Sequence, residues 1–187
     1  SGERAAIGKN VAVIGGGNTA VDCARTAKRL GSERVQLIYR RTREEMPAAD
    51  EEVEALLHEG IEIEFLATPV GFLGEKGRLS AMECIRMELG EPDESGRRRP
   101  VPRKGSEFSV SVDTVIAALG QATEMSFVKE PGVALGKNET LVVDGATGAT
   151  NVEGVFGGGD VATGPAYVVD AIGAGKRAAR SMSRYLR

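Results

Sequence analysis

The stretch VAVIGGGNTA, residues 11–20, decides the fold. Its first four residues are small or β-branched apolar residues, which is typical of a strand buried on both faces. Three consecutive glycines follow, and Gly31 stands where a helix would end. Between them, apolar residues recur at helical spacing: Ala20, Val21, Ala24, Ala27 and Leu30. The stretch therefore predicts a strand, a tight glycine turn and a helix over 18–30.

The same stretch fits the pattern G-x-G-x-x-G/A, with Gly15, Gly17 and Ala20 as its small residues. Gly15 permits the tight turn, Gly17 lets the backbone approach a pyrophosphate, and Ala20 allows close packing of helix on strand. The free N–H groups at the helix start then face the anion. A second predicted strand at 35–39 supplies the context that this pattern requires. We expect a dinucleotide site here, the alternative being a bare packing turn.

The residues after the second strand indicate which dinucleotide binds. An NAD site usually places Asp or Glu there to accept a hydrogen bond from the ribose 2′-hydroxyl. This chain has Tyr39-Arg40-Arg41-Thr42-Arg43, with no carboxylate before Glu44. Paired arginines supply the forked, permanently charged donors that a 2′-phosphate needs. The pattern favours NADP over NAD, and the alternative is a solvated basic strand end.

The sequence pattern in the middle of the chain predicts a helix and further strands. We expect a helix over 48–59, a third strand at 61–65, short alternating segments from 68 to 112, and a buried strand at 115–119. Residues 91–104 hold four Arg and three Pro without an apolar stretch, so they are predicted to form an exposed hairpin loop.

A second glycine turn, VFGGGD at residues 155–160, stands near the end of the chain. We predict a short strand at 141–143, a strand that enters this turn, and a long helix over 165–186 with Pro165 in its first position. The expected inner face of the helix is Val168, Ala171, Ile172, Ala179 and Met182. Asp160 is suited to hold sugar hydroxyls, the alternative being a helix-capping Asp in a glycine-rich loop.

These motifs together resemble the flavoproteins with two dinucleotide-binding folds. Residues 155–160, Gly164-Pro165 and residues 168–176 look like the second FAD fingerprint, and residues 114–120 look like the strand that leads back to the FAD domain. More narrowly, residues 15–24, 39–41 and 45–48 are similar to the small (beta) subunit of NADPH-dependent glutamate synthase and to the related module of dihydropyrimidine dehydrogenase. The resemblance covers nearly the whole chain.

The resemblance implies an α/β fold with two parts. A Rossmann-like NAD(P)-binding domain, made of a parallel sheet and an antiparallel β-meander, is expected over 1–122. The C-terminal part of an FAD-binding domain is expected over 123–187. The implied ligands of the NADPH phosphates are Gly15, Gly16, Gly17, Asn18, Thr19, Arg40 and Arg41. The residues expected near the nicotinamide and FAD are Gly120, Gln121, Gly159, Asp160, Pro165 and Ala166. Met46-Pro47-Ala48 would border the cleft between the cofactors, or simply form the loop that starts a helix.

The chain also departs from this family. It contains neither the first glycine motif of the FAD domain nor the cysteine-rich iron–sulfur region. We therefore expect the C-terminal part of a longer polypeptide, which binds NADP but holds FAD weakly or not at all.

The implied function is electron input. Hydride passes from NADPH to FAD, and electrons continue to iron–sulfur centres and a larger catalytic subunit or fused domains. We expect no catalytic side chain, because the cofactors supply the chemistry. The alternatives are a nucleotide-binding or subunit-interface module without chemistry, and a dehydrogenase acting directly on a small substrate. The second lacks a candidate proton donor.

Composition excludes other classes of function. The chain has 187 residues, a net charge of −3, two cysteines and one histidine. Without CxxC or Cys/His spacing, we expect neither a metal site nor thiol–disulfide exchange. Cys23 and Cys84 are predicted to be buried free thiols in a cytoplasmic protein, with one long-range disulfide as the alternative. No apolar run is long enough for a membrane span, and the scattered basic residues indicate no nucleic-acid surface.

Overall fold

The computed structural model describes residues 6–93, 96–126, 128, 132–136 and 139–187. It divides into two compact units, Ser1–Leu119 and Gly120–Arg187. The elements in chain order are β1 Asn10–Ile14, α1 Asn18–Arg29, β2 Arg34–Tyr39, α2 Asp50–His58, β3 Glu62–Phe65, β4 Ala67–Glu75, β5 Arg78–Pro92, β6 Arg98–Ser111, β7 Thr114–Ala117, α3 Asp160–Thr163 and α4 Val168–Tyr185. The predicted domain boundary after residue 122 stays a prediction, because compactness does not show which cofactor each unit binds.

The first unit is built on a four-stranded parallel sheet in the order β3-β2-β1-β7. The predicted strands around residues 11–14, 35–39, 61–65 and 115–119 are confirmed as β1, β2, β3 and β7. Because β1 lies in the centre of the sheet, its residues alternate between two cores. Val11 and Val13 face one core, and Ala12 and Ile14 face the other. Burial on both faces explains why apolar residues follow one another without interruption in this strand.

Helices α1 and α2 cover one face of the parallel sheet. Helix α1 packs a stripe of small side chains on it, each fully buried: Ala20, Val21, Ala24 and Ala27. It begins after Gly17 and ends with Lys28 and Arg29 in its last turn, where cations complement the helix dipole. Helix α2 begins with three acidic residues, whose negative charges complement the positive end of the helix dipole. It buries Val53 and Leu56.

A three-stranded antiparallel sheet, β4-β5-β6, covers the other face. Its buried side chains pack against Ala12, Ile14 and Ile38 of the parallel sheet, and they are Ala67, Met82, Cys84 and Val110. The antiparallel meander expected from the sequence is therefore confirmed.

The hairpin loop predicted over residues 91–104 is wrong. Strand β5 continues to Pro92 and β6 begins at Arg98, so the connection is confined to residues 93–97, of which 94 and 95 lie outside the described residues. Pro100 pairs with Leu89 and Pro102 with Met87. A proline is tolerated there because β6 is an edge strand of its sheet. Composition suggested a loop because both faces of this part of the hairpin are largely exposed.

The second unit departs further from the sequence prediction. In place of strands at 141–143 and 155–160, the described residues form only isolated bridges, Leu135 with Leu141 and Ala149 with Phe156. Pro165 is not the first residue of the long helix. Gly164, at φ 76°, caps the short helix α3, and α4 begins only after Tyr167.

The predicted inner face of α4 is also wrong. The helix buries Ala174 and Ala178, whereas Val168 is 77% exposed and Ile172 is 53% exposed. Of the other predicted members, Ala171 is half-buried and Ala179 and Met182 are exposed. Helical spacing identifies an apolar face correctly, but it does not show whether a partner covers that face. No described element of the second unit does so.

Within the described ranges, no helix combines the length and apolar character needed to cross a membrane. The same residues contain no cluster of three or more His, Cys, Asp or Glu side chains that could hold a metal ion.

The two cysteines are free thiols in different cores, as the first of the two sequence alternatives predicted. Cys84 is fully buried in β5, and burial raises the pKa of its thiol to about 11. Cys23, on α1, is partly buried against the opposite core. The parallel sheet separates them, which excludes the alternative disulfide in this fold.

We expect an aromatic disulfide reagent at pH 8 to label Cys23 much faster than Cys84. A pKa of about 11 leaves a thiolate fraction of about 10⁻³ at that pH, and access to Cys84 requires local unfolding. Labelling kinetics with and without denaturant measure the difference, and a Cys23→Ala variant isolates the slow thiol. Equal rates for both thiols in the folded protein would contradict this account.

Candidate functional site

The turn that follows β1 leaves no room for a side chain at its first two glycines. Gly15 has φ +147°, and a Cβ on it would lie 2.3 Å from the carbonyl oxygen of Ala118 and 3.2 Å from the Cβ of Ala20. Ala20 is itself fully buried. The steric roles expected for Gly15 and Ala20 are therefore present: a strained turn, and a helix packed directly on the strand.

Gly16 has a reason to be glycine that the sequence pattern does not give. A Cβ on Gly16 would lie 2.3 Å from Cε2 of Tyr39. The Tyr39 ring is buried, and its hydroxyl donates a hydrogen bond of 2.7 Å to the carbonyl oxygen of Glu45. The last residue of β2 thus packs across the glycine turn. The signal in the sequence was an aromatic residue at the end of the strand next to β1.

The beginning of α1 has unpaired backbone donors. Within the part of the chain that the structure describes, the N–H groups of Gly17, Asn18 and Thr19 have no hydrogen-bond acceptor. A Cβ on Gly17 would meet nothing within 4 Å. The first turn of α1 contains no acidic residue. An open surface, free N–H groups and the positive end of a twelve-residue helix together favour a bound anion.

The loop before α2 lies against this turn. Ala48 N donates to the carbonyl oxygen of Gly16 at 3.1 Å, and Ala49 N donates to Oδ1 of Asn18 at 3.0 Å. Asn18 thereby accepts one hydrogen bond and keeps its amide N–H groups. Ala49 is the N-cap of α2, so Met46-Pro47-Ala48 does form a loop that starts a helix. Its place at a cleft between cofactors stays a prediction.

The two arginines after β2 have different environments. Arg40 is exposed and forms no ion pair with the described residues. The side chain of Arg41 is 4% exposed. Its Nη2 lies 2.5 Å from Oδ2 of Asp93, and its Nε donates a 2.7 Å hydrogen bond to the carbonyl oxygen of Arg98. The structure therefore leaves Arg40 at the surface and places Arg41 beneath the tip of the β5–β6 hairpin.

Glu45 is a buried carboxylate that sequence reasoning missed. It accepts hydrogen bonds from the hydroxyl and the backbone N–H of Thr42. These bonds lower the pKa of Glu45, first through the Thr42 hydroxyl, and the positive charge of Arg98 adds to the effect. The loop after β2 thus has a fixed negative charge inside it and arginines around it. Arg43 completes this arrangement through its ion pair with Asp50.

The glycine triplet of the second unit combines close packing with a sharp turn. A Cβ on Gly158 would lie 3.0 Å from the backbone of Ala174 in α4, so glycine lets the helix approach. Gly159 has φ +78°, a conformation that favours glycine, and precedes Asp160 at the start of α3. The Asp160 side chain is exposed.

Several predicted cofactor residues of the second unit lie at one cavity of about 520 Å³. Its lining comprises Gln121, Ala122, Thr123, Glu139, Thr140, Thr163, Gly164 and Pro165. Gln121 and Pro165 are thus brought together, whereas Asp160 and Ala166 are not part of the lining. Gly120, with φ +95°, has open space around its Cα.

Comparison with known proteins agrees with this architecture. The chain is 52% identical to the NADP(+)-dependent formate dehydrogenase subunit beta of Moorella thermoacetica over 96% of its own length and 25% of that protein. It is 41% identical to the glutamate synthase [NADPH] small chain of Azospirillum brasilense over 99% of its length and 39% of that protein. The chain therefore spans well under half of these curated relatives.

Solved structures show the same fold. The thioredoxin reductase of T. acidophilum superposes with a TM-score of 0.77 and 25% identity, over 96% of this chain and 53% of that one. The Lactococcus lactis thioredoxin reductase gives the same TM-score at 19% identity, over 96% and 54% of the two chains. The expected two-dinucleotide fold and the resemblance to the glutamate synthase small subunit are confirmed. A family model described as pyridine nucleotide-disulphide oxidoreductase matches residues 2–175, and the chain belongs to that family.

Proposed function

We propose that the first unit binds NADPH and that the longer protein uses it for electron input to a flavin. The observation that carries this is that the first N–H groups of α1 have no acceptor among the described residues and that Arg40, directly after β2, is exposed. Parallel neighbouring strands end at the same edge of the sheet, which is where dinucleotides bind in such folds. Two similar proteins carry NADP(+) or NADPH in their names.

Each phosphate then has its own group of residues. The pyrophosphate lies at the glycine turn and the helix start, held by Gly15, Gly16, Gly17, Asn18 and Thr19. Gly17 supplies the open surface that lets the backbone come close. The 2′-phosphate is contacted by Arg40, since an exposed guanidinium can offer two parallel hydrogen bonds. Arg41, predicted from the sequence as a second phosphate ligand, is not assigned to the phosphate because its guanidinium already binds Asp93.

The second unit supplies part of a flavin site. We place Gly159, Asp160, Pro165 and Ala166 on the FAD side and Gly120 and Gln121 on the nicotinamide side. The exposed carboxylate of Asp160 can accept hydrogen bonds from ribityl hydroxyls, and the cavity beside Gln121 and Pro165 leaves room for an aromatic ring system. We further propose that these residues alone hold FAD weakly.

When bound, NADPH supplies a hydride and FAD accepts it. The chain contributes orientation, charge recognition and a dry packed surface, and no side chain takes a proton. We propose a cytoplasmic setting, in which electrons leave through iron–sulfur centres to a larger catalytic subunit or fused domains. NADPH oxidation by the full chain, assayed with an artificial acceptor with and without added FAD, tests this. Because FAD is expected to bind weakly, the assay uses FAD up to saturation, and NADPH binding without turnover at saturating FAD would favour the alternative of a non-catalytic nucleotide-binding module.

Arg40→Ala should weaken NADPH binding about 10- to 100-fold, since a hydrogen bond to a charged group contributes about 1.5–3 kcal/mol. NADH binding should change little, because NADH lacks the 2′-phosphate. Titration calorimetry with both cofactors measures the two constants. Arg180→Ala, an exposed change on α4, is the matched control. Equal losses for NADPH and NADH would show that Arg40 does not recognise the 2′-phosphate.

Gly16→Ala and Gly17→Ala should separate folding from binding. The new methyl group at Gly16 meets the Tyr39 ring, so we expect unfolding free energy to fall by about 1–3 kcal/mol. The methyl group at Gly17 enters open space, so stability should change by less than about 1 kcal/mol while NADPH binding is lost. Denaturant titration and cofactor titration test the pair. The reverse pattern, a stable Gly16→Ala and an unfolded Gly17→Ala, would refute it.

A further inference from the structure

We propose that Arg41 is a positioning residue, which holds the tip of the β5–β6 hairpin at the end of β2 so that Arg98 joins Arg40 in recognising the 2′-phosphate. This inference rests on the NADPH site proposed above and assigns two new roles within it. Arg41 acts through the hairpin, and Arg98 contacts the cofactor.

The first step is the environment of Arg41. Its side chain is 4% exposed, and its guanidinium bonds to Asp93 and to the carbonyl oxygen of Arg98, at 2.5 and 2.7 Å. Both partners are more than fifty residues away in sequence. If the buried guanidinium separated from its carboxylate partner, both charges would lose their compensating contact, which is strongly unfavourable. Arg41 is therefore committed to the hairpin.

Backbone hydrogen bonds hold the base of the hairpin at the same place. Leu66 N donates to the carbonyl oxygen of Arg41 at 3.1 Å, and Met87 N donates to the carbonyl oxygen of Leu66 at 2.7 Å. Leu66 adopts a φ of 53°, which is uncommon for a residue with a side chain. The end of β2 is thus joined to β5 by a continuous chain of bonds. The side chain of Arg41 adds a second attachment, farther along the hairpin.

The shape of the hairpin allows its tip to reach Arg41. The β5–β6 register shifts between Ile85 and Met87 and again between Leu89 and Pro92. Such irregularities bend and twist a strand pair locally. At the two sides of the tip, Asp93 N donates to the carbonyl oxygen of Arg97 at 2.8 Å, and Gly96 N donates to the carbonyl oxygen of Asp93 at 2.9 Å. These backbone bonds hold Asp93 in addition to its ion pair with Arg41.

The attachment of the hairpin to Arg41 also determines the position of Arg98. Arg98 is exposed, and one of its N–H groups donates to the carbonyl oxygen of Leu89 at 3.2 Å. Its charge lies close enough to Glu45 to lower the pKa of that carboxyl group. Glu45 is fixed by Thr42, two residues after Arg40. The carbonyl oxygen of Arg98 accepts the 2.7 Å hydrogen bond from Arg41, which places this residue beside the end of β2. Among the described residues its guanidinium has only Leu89 as an acceptor, so it keeps N–H groups for a phosphate.

Three variants of the full chain test the inference through the ratio of the NADPH and NADH dissociation constants. Asp93→Asn, nearly isosteric, and Arg98→Ala should each weaken NADPH binding about 5- to 20-fold and leave NADH binding unchanged. Arg99→Ala is the matched control, since adjacent strand residues point to opposite sides. A merely structural role would lower affinity for both cofactors together and leave the ratio unchanged, which would overturn the inference.

The sign of the Asp93→Asn effect distinguishes this role from direct binding by Arg41. If Arg41 were a phosphate ligand, removing its counter-charge would release the guanidinium and tighten NADPH binding, and that result would overturn the inference. In our account Asp93→Asn also speeds hydrogen exchange of backbone amides in residues 87–102, and Arg41→Lys restores part of the selectivity that Arg41→Met loses. Unchanged exchange would count against it.

The experiment distinguishes failure of the proposed NADPH site from failure of the hairpin role. If the unaltered chain shows no preference for NADPH over NADH, both proposals fall. If it prefers NADPH and only the Asp93 and Arg98 variants behave otherwise than stated, the cofactor site stands and the hairpin role falls.

Discussion

The close contact between the glycine turn and its neighbours is the constraint on which the rest of the structure depends. A Cβ on Gly15 would meet the carbonyl oxygen of Ala118, and one on Gly16 would meet the ring of Tyr39. These contacts bring the ends of β1, β2 and β7 together at one edge of the parallel sheet. They also fix the start of α1, whose first N–H groups have no acceptor among the described residues. The same turn is crowded at Gly16 and open at Gly17, so adjacent glycines are constrained by different requirements.

Burial distinguishes the arginines that follow β2 at this edge of the sheet. Arg40 and Arg41 are adjacent in sequence, yet one is exposed and the other is enclosed with Asp93. Two carboxylates, Asp93 and Glu45, neutralise part of the positive charge inside the loop and hairpin, which leaves the remaining guanidinium groups directed at solvent. Arg43 pairs with Asp50 at the surface, whereas Arg40 has no ion pair with the described residues, so an anion can contact Arg40 without displacing a carboxylate.

Sequence patterns predicted the first unit well and the second unit poorly, for a physical reason. In the first unit, β1 and β2 are buried on both faces and α1 on one, so apolar periodicity follows the structure directly. In the hairpin, exposure on both faces removes that periodicity, and residues 91–104 were mistaken for a loop. In the second unit, Gly158 and Gly159 lie against α4 and allow it to pack closely, without forming a strand. The apolar residues Val168 and Ile172 lie on one helix face, but no described element covers them.

The sequence by itself determined the family, the glycine turn with its dinucleotide geometry, and the preference for arginine over a carboxylate after β2. These are local properties, since they depend on backbone freedom and on residue types within a few positions. Only the tertiary structure decided that Gly16 is needed for Tyr39, that Glu45 is held by Thr42, and that Arg41 belongs to a hairpin tip more than fifty residues away. Spacing along the chain carries no record of such contacts, because long-range packing brings together residues whose separation in sequence is arbitrary.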